Sequence, residues 1–194
     1  MNANVIIVGG GPAGVITALT AKSVYPDISV CLIKDIGDGV IPCAIPYMMQ
    51  TRSDPNQNAM GNMPLEKAGI DILVGKVVRT GAKPANLLAQ KAGLRLAENG
   101  SIWVDEYMRT DAEDVFAVGD CAVKRDFFTR KAAPVWLAST ATAEARNAGT
   151  NIYGIRVLHQ IQGTIAAFTT KIGGISFASA GMTCRACQKE GFRF

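Results

Sequence analysis

Cys43 stands between two prolines in the stretch Ile41–Tyr47, "IPCAIPY". Proline fixes φ and removes a backbone donor, so this piece is stiff and continues neither a helix nor a central strand. Two readings fit a thiol held in that way. It is a buried structural cysteine, since free cysteine is among the most buried residue types, or it is a redox nucleophile held against a cofactor. The second needs a thiolate, and so a pKa lowered from about 8.5 by nearby positive charge or dipoles.

A second chemical signal lies upstream. Gly9, Gly11 and Gly14 in "GGGPAG" form G-x-G-x-x-G, directly after the apolar run Val5–Val8 and at the start of a helical pattern. The first glycine allows a tight turn, the second lets backbone approach a pyrophosphate, and the third lets helix and strand pack closely. The helix start at Pro12 and Ala13 adds the free N–H groups that follow the proline and the positive end of a dipole. A dinucleotide site follows from this setting. An acidic residue is expected about 20 positions on, to bond a ribose hydroxyl. The occupant is Lys34, with Asp35 next to it. Either Asp35 takes the role after a one-residue shift, or the ribose is held without a carboxylate. In the second case a glutamate at position 34 would hold it better than the lysine does.

These groups must be positioned by a framework. Val5–Val8 reads as a buried parallel strand, "GPAGVITALTAKSVYP" as a helix with Ile16, Leu19 and Thr20 at helical spacing, and "ISVCLI" as a second strand. This β-turn-α-β order predicts a parallel sheet. "IDILVGKVV" is strand-like, "ANLLAQKAGL" a helix closing on Gly93, and "SIWVDEYMRT" a short strand or hairpin arm. Asp114–Asp120, "DVFAVGD", reads as another buried strand, and Leu137–Gly154 as an alanine-rich helix. The tail alternates in β fashion and ends in a short polar helix, "TCRACQKEGF".

The chain has 194 residues, 48% hydrophobic and 19% charged, enough for one domain with a real core or one domain and part of another. Its net charge of +4 comes from scattered lysines and arginines without a basic run, so a nucleic-acid surface is a weak reading and anionic small ligands suit the same charge equally well. Five cysteines form no even framework. The N-terminus lacks the features of a signal peptide, and the run "VIIV" is too short to cross a membrane. A reducing cytoplasm with free thiols is expected. Cys31 reads as core and Cys121 as packing. Cys184 and Cys187 read as a surface disulfide or two free thiols rather than a zinc site, because no second ligand pair exists and His159 is the sole histidine. Lys22 and Arg52 read as solvated charges, and Trp103 and Trp136 as core or cofactor-side packing.

With the loop, the proline-flanked cysteine and "DVFAVGDC" together, the chain resembles the FAD-dependent pyridine nucleotide-disulfide oxidoreductases. It is most similar to their single-cysteine branch of coenzyme A-disulfide and persulfide reductases, NADH oxidases and peroxidases. "GGGPAG" looks like the family's FAD loop. "CAIPY" resembles its active-site C-G-x-P-Y, with Ala44 replacing glycine. "TGAKP", with Gly81, looks like a further FAD-half segment. The Gly119–Asp120 motif looks like the one whose aspartate meets the ribityl and phosphate region. The helix opening at Ala138 looks like the one that faces the flavin ring.

The resemblance implies an α/β fold. A Rossmann-like FAD-binding domain over 1–158 carries a parallel sheet, and 159–194 forms a short α+β remnant of an interface domain. It implies FAD as cofactor, Cys43 as redox centre beside the flavin, and coenzyme A or another small thiol or persulfide as partner. Neither nucleic acid nor membrane is implied as a partner, and a homodimer is left open. Family members carry a second G-x-G-x-x-G for NAD(P)H, and none follows Gly14 here. The NAD domain therefore reads as missing, with a join near 50–70. Two functional readings stand, a thiol reductase or oxidase and a minimal FAD-binding fragment that cannot use NAD(P)H.

Overall fold

A computed structural model describes residues 2–35, 37, 39–40, 54, 58–75, 86–172 and 174–193. Cys43, Arg52 and Gly81 lie outside them.

The chain opens with β1 (Val5–Val8), α1 (Pro12–Val24) and β2 (Val30–Lys34). β1 and β2 pair in parallel, Val5 opposite Val30 through Val8 opposite Ile33. After the short antiparallel pair β3 (Gly39–Val40) and β4 (Ala59–Met60), helix α2 (Met63–Lys67) leads into β5 (Asp71–Val74). β5 joins the other edge of β2, again in parallel, so the described sheet has the order β1-β2-β5. This is the expected Rossmann-like α/β arrangement.

One sequence expectation for this half is corrected. Val5 and Ile7 are buried, but Ile6 is 62% and Val8 50% exposed, so β1 is covered on one face and not on both. α1 lies against that covered face. Its buried side is Gly14, Val15, Thr17, Ala18 and Ala21, whereas Ile16, Leu19 and Thr20 are only half-buried. Small residues fill the inner face because a second helix packs there closely. Full burial of Leu32 in this core contributes about 1.5–3 kcal/mol.

The second half builds a separate cluster around Ile102, Val104, Met108, Ala117 and Val123. Helix α3 (Leu87–Lys91) closes on Gly93, as expected. The hairpin arm is present as well: Ile102 bridges both Leu96 and Ala122. The predicted strand over Asp114–Asp120 does not form. Asp114 takes a left-handed φ of 58°, and the Thr110 amide donates to the Val115 carbonyl at 2.9 Å. The segment therefore folds back on residues 108–110, through the single bridge Arg109–Phe116, instead of joining the sheet.

Helix α4 (Ala138–Asn151) then packs along α1, with Gly149 set against Thr17 and Ala21. At the far end the Tyr25 hydroxyl donates to the Thr150 carbonyl at 2.7 Å, and the Arg156 guanidinium lies 4.7 Å over the Tyr25 ring. The tail is the expected hairpin, β6 (Phe168–Ile172) with β7 (Ile175–Ser179), followed by α5 (Cys184–Lys189). No described helix is long and apolar enough to cross a membrane.

Candidate dinucleotide-binding site

The glycine loop connects β1 to α1 and is held by the sheet, the Gly9 amide donating to the Ile33 carbonyl at 2.8 Å. A Cβ at Gly14 would lie 1.9 Å from the Gly9 carbonyl oxygen, so only glycine permits this close return of helix onto strand. A Cβ at Gly11 would meet nothing within 4 Å, so the backbone there faces open space. Gly11 caps α1 without a side-chain bond, Pro12 occupies the first turn, and no acidic residue lies in it. The first-turn amides of Ala13 and Gly14 are thus directed at a position that suits phosphate.

Gly119 and Asp120 arrive at the same place from the other half of the chain. They form a 3-10 turn, Gly119–Cys121, in which Gly119 has φ 74°. A Cβ on Gly119 would come within 2.8 Å of Ala13 Cβ, so left-handed backbone and closeness to the loop both demand glycine. Asp120 is exposed at this junction. The structure therefore brings together Gly9, Gly11, Pro12, Ala13, Gly14, Gly119 and Asp120, seven of the residues singled out by sequence.

The other expected contacts divide. Ala138 opens α4 and lines a wide groove of about 690 Å³, together with Leu137, Ser139, Phe168, Thr169 and Ala178. Leu137 caps α4 without a side-chain bond. Trp136, just before it, is 46% exposed and is not core, while half-buried Trp103 is covered by the Arg95 guanidinium at 4.9 Å. Lys34 is 5% exposed, and its ammonium donates to the Gly37 carbonyl and to Asn62 Oδ1. Its stem lies against Gly10, where a Cβ would sit 2.6 Å from Lys34 Cβ. The ammonium is thus engaged inside the protein, beside half-buried Asp35. Lys22 is likewise engaged, donating to the Pro26 and Ile28 carbonyls at 2.7 and 2.8 Å.

Sequence reasoning missed two residues here. Glu144 of α4 and Lys124 form an ion pair at 3.0 Å and are 1% and 4% exposed. Glu144 Oε2 accepts from the Gly119 amide at 2.9 Å, and Lys124 Nζ donates to the Gly119 carbonyl and, at 3.0 Å, to that of Ala122. Burial pushes the Glu144 carboxyl above its usual range, with Lys124 and the Gly119 amide pulling the other way. A signal was available: Glu144 falls on the same helical stripe as Ala141, Ala145 and Ala148, all buried.

Among the described cysteines, Cys31, Cys121, Cys184 and Cys187 are all free. Cys31 is buried in β2, as expected of a core residue. Burial raises the Cys121 pKa, and its thiol donates to the Val118 carbonyl at 3.3 Å, which suits packing rather than attack. Cys184 and Cys187 form no disulfide, the second of the two expected outcomes. The described residues hold no cluster suited to a metal ion.

Residues 72–149 match the family described as pyridine nucleotide-disulphide oxidoreductase. The chain is 35% identical over 116 residues to an NAD(P)H coenzyme A polysulfide/persulfide reductase of Pyrococcus horikoshii, covering 60% of this chain and 26% of that protein. It is 25% identical over 205 residues to an NADH oxidase of Methanocaldococcus jannaschii, covering 92% and 43%. Among solved structures it is similar to an NAD-dependent persulfide reductase from A. fulgidus, with TM-score 0.53, 27% identity, and coverage of 96% of this chain and 37% of that one. The family match is confined to residues 72–149, and the chain spans well under half the length of these relatives. FAD is the cofactor of that family. The open backbone at Gly11, the uncapped start of α1 and the exposed Asp120 fit such a dinucleotide.

Proposed function

We propose that this chain is the FAD-holding module of a thiol or disulfide reductase, acting on a coenzyme A disulfide or persulfide, or of an NADH oxidase. The observation that carries this reading is the meeting of the Gly9–Gly14 loop with the Gly119–Asp120 turn, which gives one ligand two grips. The loop amides would hold the pyrophosphate and Asp120 the ribityl–phosphate region, while Ala138 and the start of α4 would face the ring. The wide groove beside Ala138 leaves room for that placement.

Bound there, FAD would supply a two-electron carrier beside Cys43. As a thiolate, Cys43 would attack one sulfur of a small disulfide, forming a mixed disulfide and releasing one thiol. The names of the Pyrococcus and A. fulgidus relatives support a persulfide among these substrates. Four free thiols among the described residues support a reducing, cytoplasmic setting. The exposed apolar residues Phe168, Ile175 and Phe177 of the tail hairpin support a second copy of the chain as partner.

A second reading, an FAD-holding fragment that does not turn over, is favoured by the absence of any G-x-G-x-x-G after Gly14. The pairing of β5 with β2 supports placing the join after Gly75 and not near 50–70. Positioning a nicotinamide against the flavin is worth roughly 7–11 kcal/mol of barrier, and that loop is what would position it. Stopped-flow reduction of the FAD-loaded chain separates the readings. Fast reduction by dithionite and slow reduction by NADH are expected of the fragment, whereas rapid NADH turnover would establish the enzyme. Cys43→Ser should leave FAD bound but remove any thiolate perturbation of the flavin spectrum. An unchanged spectrum would remove Cys43 from the flavin face.

A further inference from the structure

Gly119 takes the left-handed turn of the site, and both of its peptide groups are engaged by opposite charges. Glu144 takes its N–H, Lys124 takes its carbonyl, and the two side chains pair with each other at 3.0 Å. The Ala122 amide, at 3.1 Å, adds a weaker hold on the same carbonyl.

A buried pair of this kind is a poor source of folding stability. The cost of taking both charges out of water commonly exceeds their attraction, and apolar replacements of similar volume are often neutral or stabilising. The upward push of burial on the Glu144 carboxyl points the same way. What the pair does supply is direction. Uncharged packing could fill the same space, but it would not fix the orientation of one peptide plane on each side of a left-handed residue. Asp120 is the next residue and is exposed, so the plane held by Lys124 sets where its carboxylate begins. The two groups come from separate places in the chain: Lys124 from the segment just after the turn, Glu144 from the second turn of α4.

We propose that the Lys124–Glu144 pair is a positioning device for the cofactor, gripping Gly119 from both sides and so fixing where Asp120 meets the ribityl–phosphate region of the dinucleotide. This rests on the FAD reading above. The pair acts through Asp120 and does not itself touch the ligand.

The test replaces both charges by apolar residues, Lys124→Met with Glu144→Leu, and compares binding of FAD with binding of ADP, which engages the glycine loop alone. Affinities come from fluorescence and calorimetric titration, and the fold from the melting of the ligand-free protein. The expected result is a melting midpoint near that of the unmodified chain, unchanged ADP affinity, and FAD weakened about tenfold, the worth of one misplaced hydrogen bond. In an Asp120→Asn background the same double replacement should add no further loss, because the two changes act on one contact. Unchanged FAD affinity in the double variant, with Asp120→Asn clearly weakened, would overturn the proposal while leaving the FAD reading intact. Loss of ADP binding or of the fold would also overturn it, since the pair would then be holding the domain as a whole. If Asp120→Asn alone bound FAD as the unmodified chain does, the FAD reading at Asp120 would fail, and this inference with it.

Discussion

The two grips of the site are built on opposite principles. The Gly9–Gly14 loop has no charged side chain of its own and depends on the absence of side chains. Gly14 lets α1 return onto the Gly9 carbonyl, and the uncapped helix start provides the polarity. The Gly119–Asp120 turn depends on side chains brought from elsewhere, with a buried cation and a buried carboxylate holding one glycine between them. The first is a local steric solution, complete within six residues. The second is a tertiary electrostatic one that exists only after α4 has packed on α1. A loop of the first kind tolerates no added atom, while a turn of the second kind tolerates changes that keep its charges balanced.

That contrast can be broken most severely at Gly14. Gly14→Ala places a methyl 1.9 Å from a backbone oxygen that cannot move aside. We expect a loss of about 1–3 kcal/mol or more in stability and FAD affinity reduced roughly a hundredfold or beyond, about 2.8 kcal/mol. Urea unfolding and flavin titration would check both, and a variant that binds like the original would refute the close-return geometry.

Breaking the pair on one side comes next. Lys124→Met leaves Glu144 buried without its cation, which costs about 3–5 kcal/mol near neutral pH. The sign with pH follows from the raised Glu144 pKa. A carboxyl whose folded pKa lies above its unfolded value favours folding when protonated. Its contribution is therefore full below the unfolded value, about 4.3, and is lost as pH rises through the folded one. The Lys124→Met deficit should shrink as the buffer is made acidic and grow towards neutrality. Melting curves across that range would show it, and a deficit independent of pH would contradict it.

Lys34→Glu is expected to cost about 1–3 kcal/mol, because it sets a buried carboxylate against the Gly37 carbonyl and Asn62 Oδ1. Tighter FAD binding in that variant would restore the ribose contact read from sequence. The smallest effect is expected of Glu144→Gln. It takes the anion from Lys124 but keeps a neutral acceptor for both the Gly119 amide and the Lys124 ammonium, so the loss should be held to about 1 kcal/mol, by chemical denaturation. A larger loss would mean that the attraction to Lys124 outweighs the cost of burying the carboxylate.

The legible parts of this protein are the ones whose cause is local. The βαβ start, the glycine loop and the tail hairpin follow from β-branched runs, glycine spacing and alternation, and each appears where expected. Asp114–Asp120 reads as a strand because its composition suits one, but a left-handed Asp114 and the hydrogen bond from Thr110 to Val115 turn it back on itself. Composition carries no trace of that pairing. Which residues of α1 face inward was not legible, because close approach of α4 selects the small Gly14, Thr17, Ala18 and Ala21 rather than the large apolar residues. Lys34 sits at the position counted for a ribose ligand, yet its ammonium finds partners 3 and 28 residues away. Lys124 and Glu144 are 20 apart in sequence, and only the alanine stripe around Glu144 hinted that one of them is buried.

The central claim is that two separate grips converge on one dinucleotide, and titration of the ligand-free chain with FAD and with ADP tests it most directly. FAD should bind one to one and tightly, with perturbed flavin bands, while ADP, which can use only the loop, should bind at least about tenfold more weakly, a difference of about 1.4 kcal/mol. A chain that takes up no FAD, or that binds ADP as well as FAD, would contradict the account.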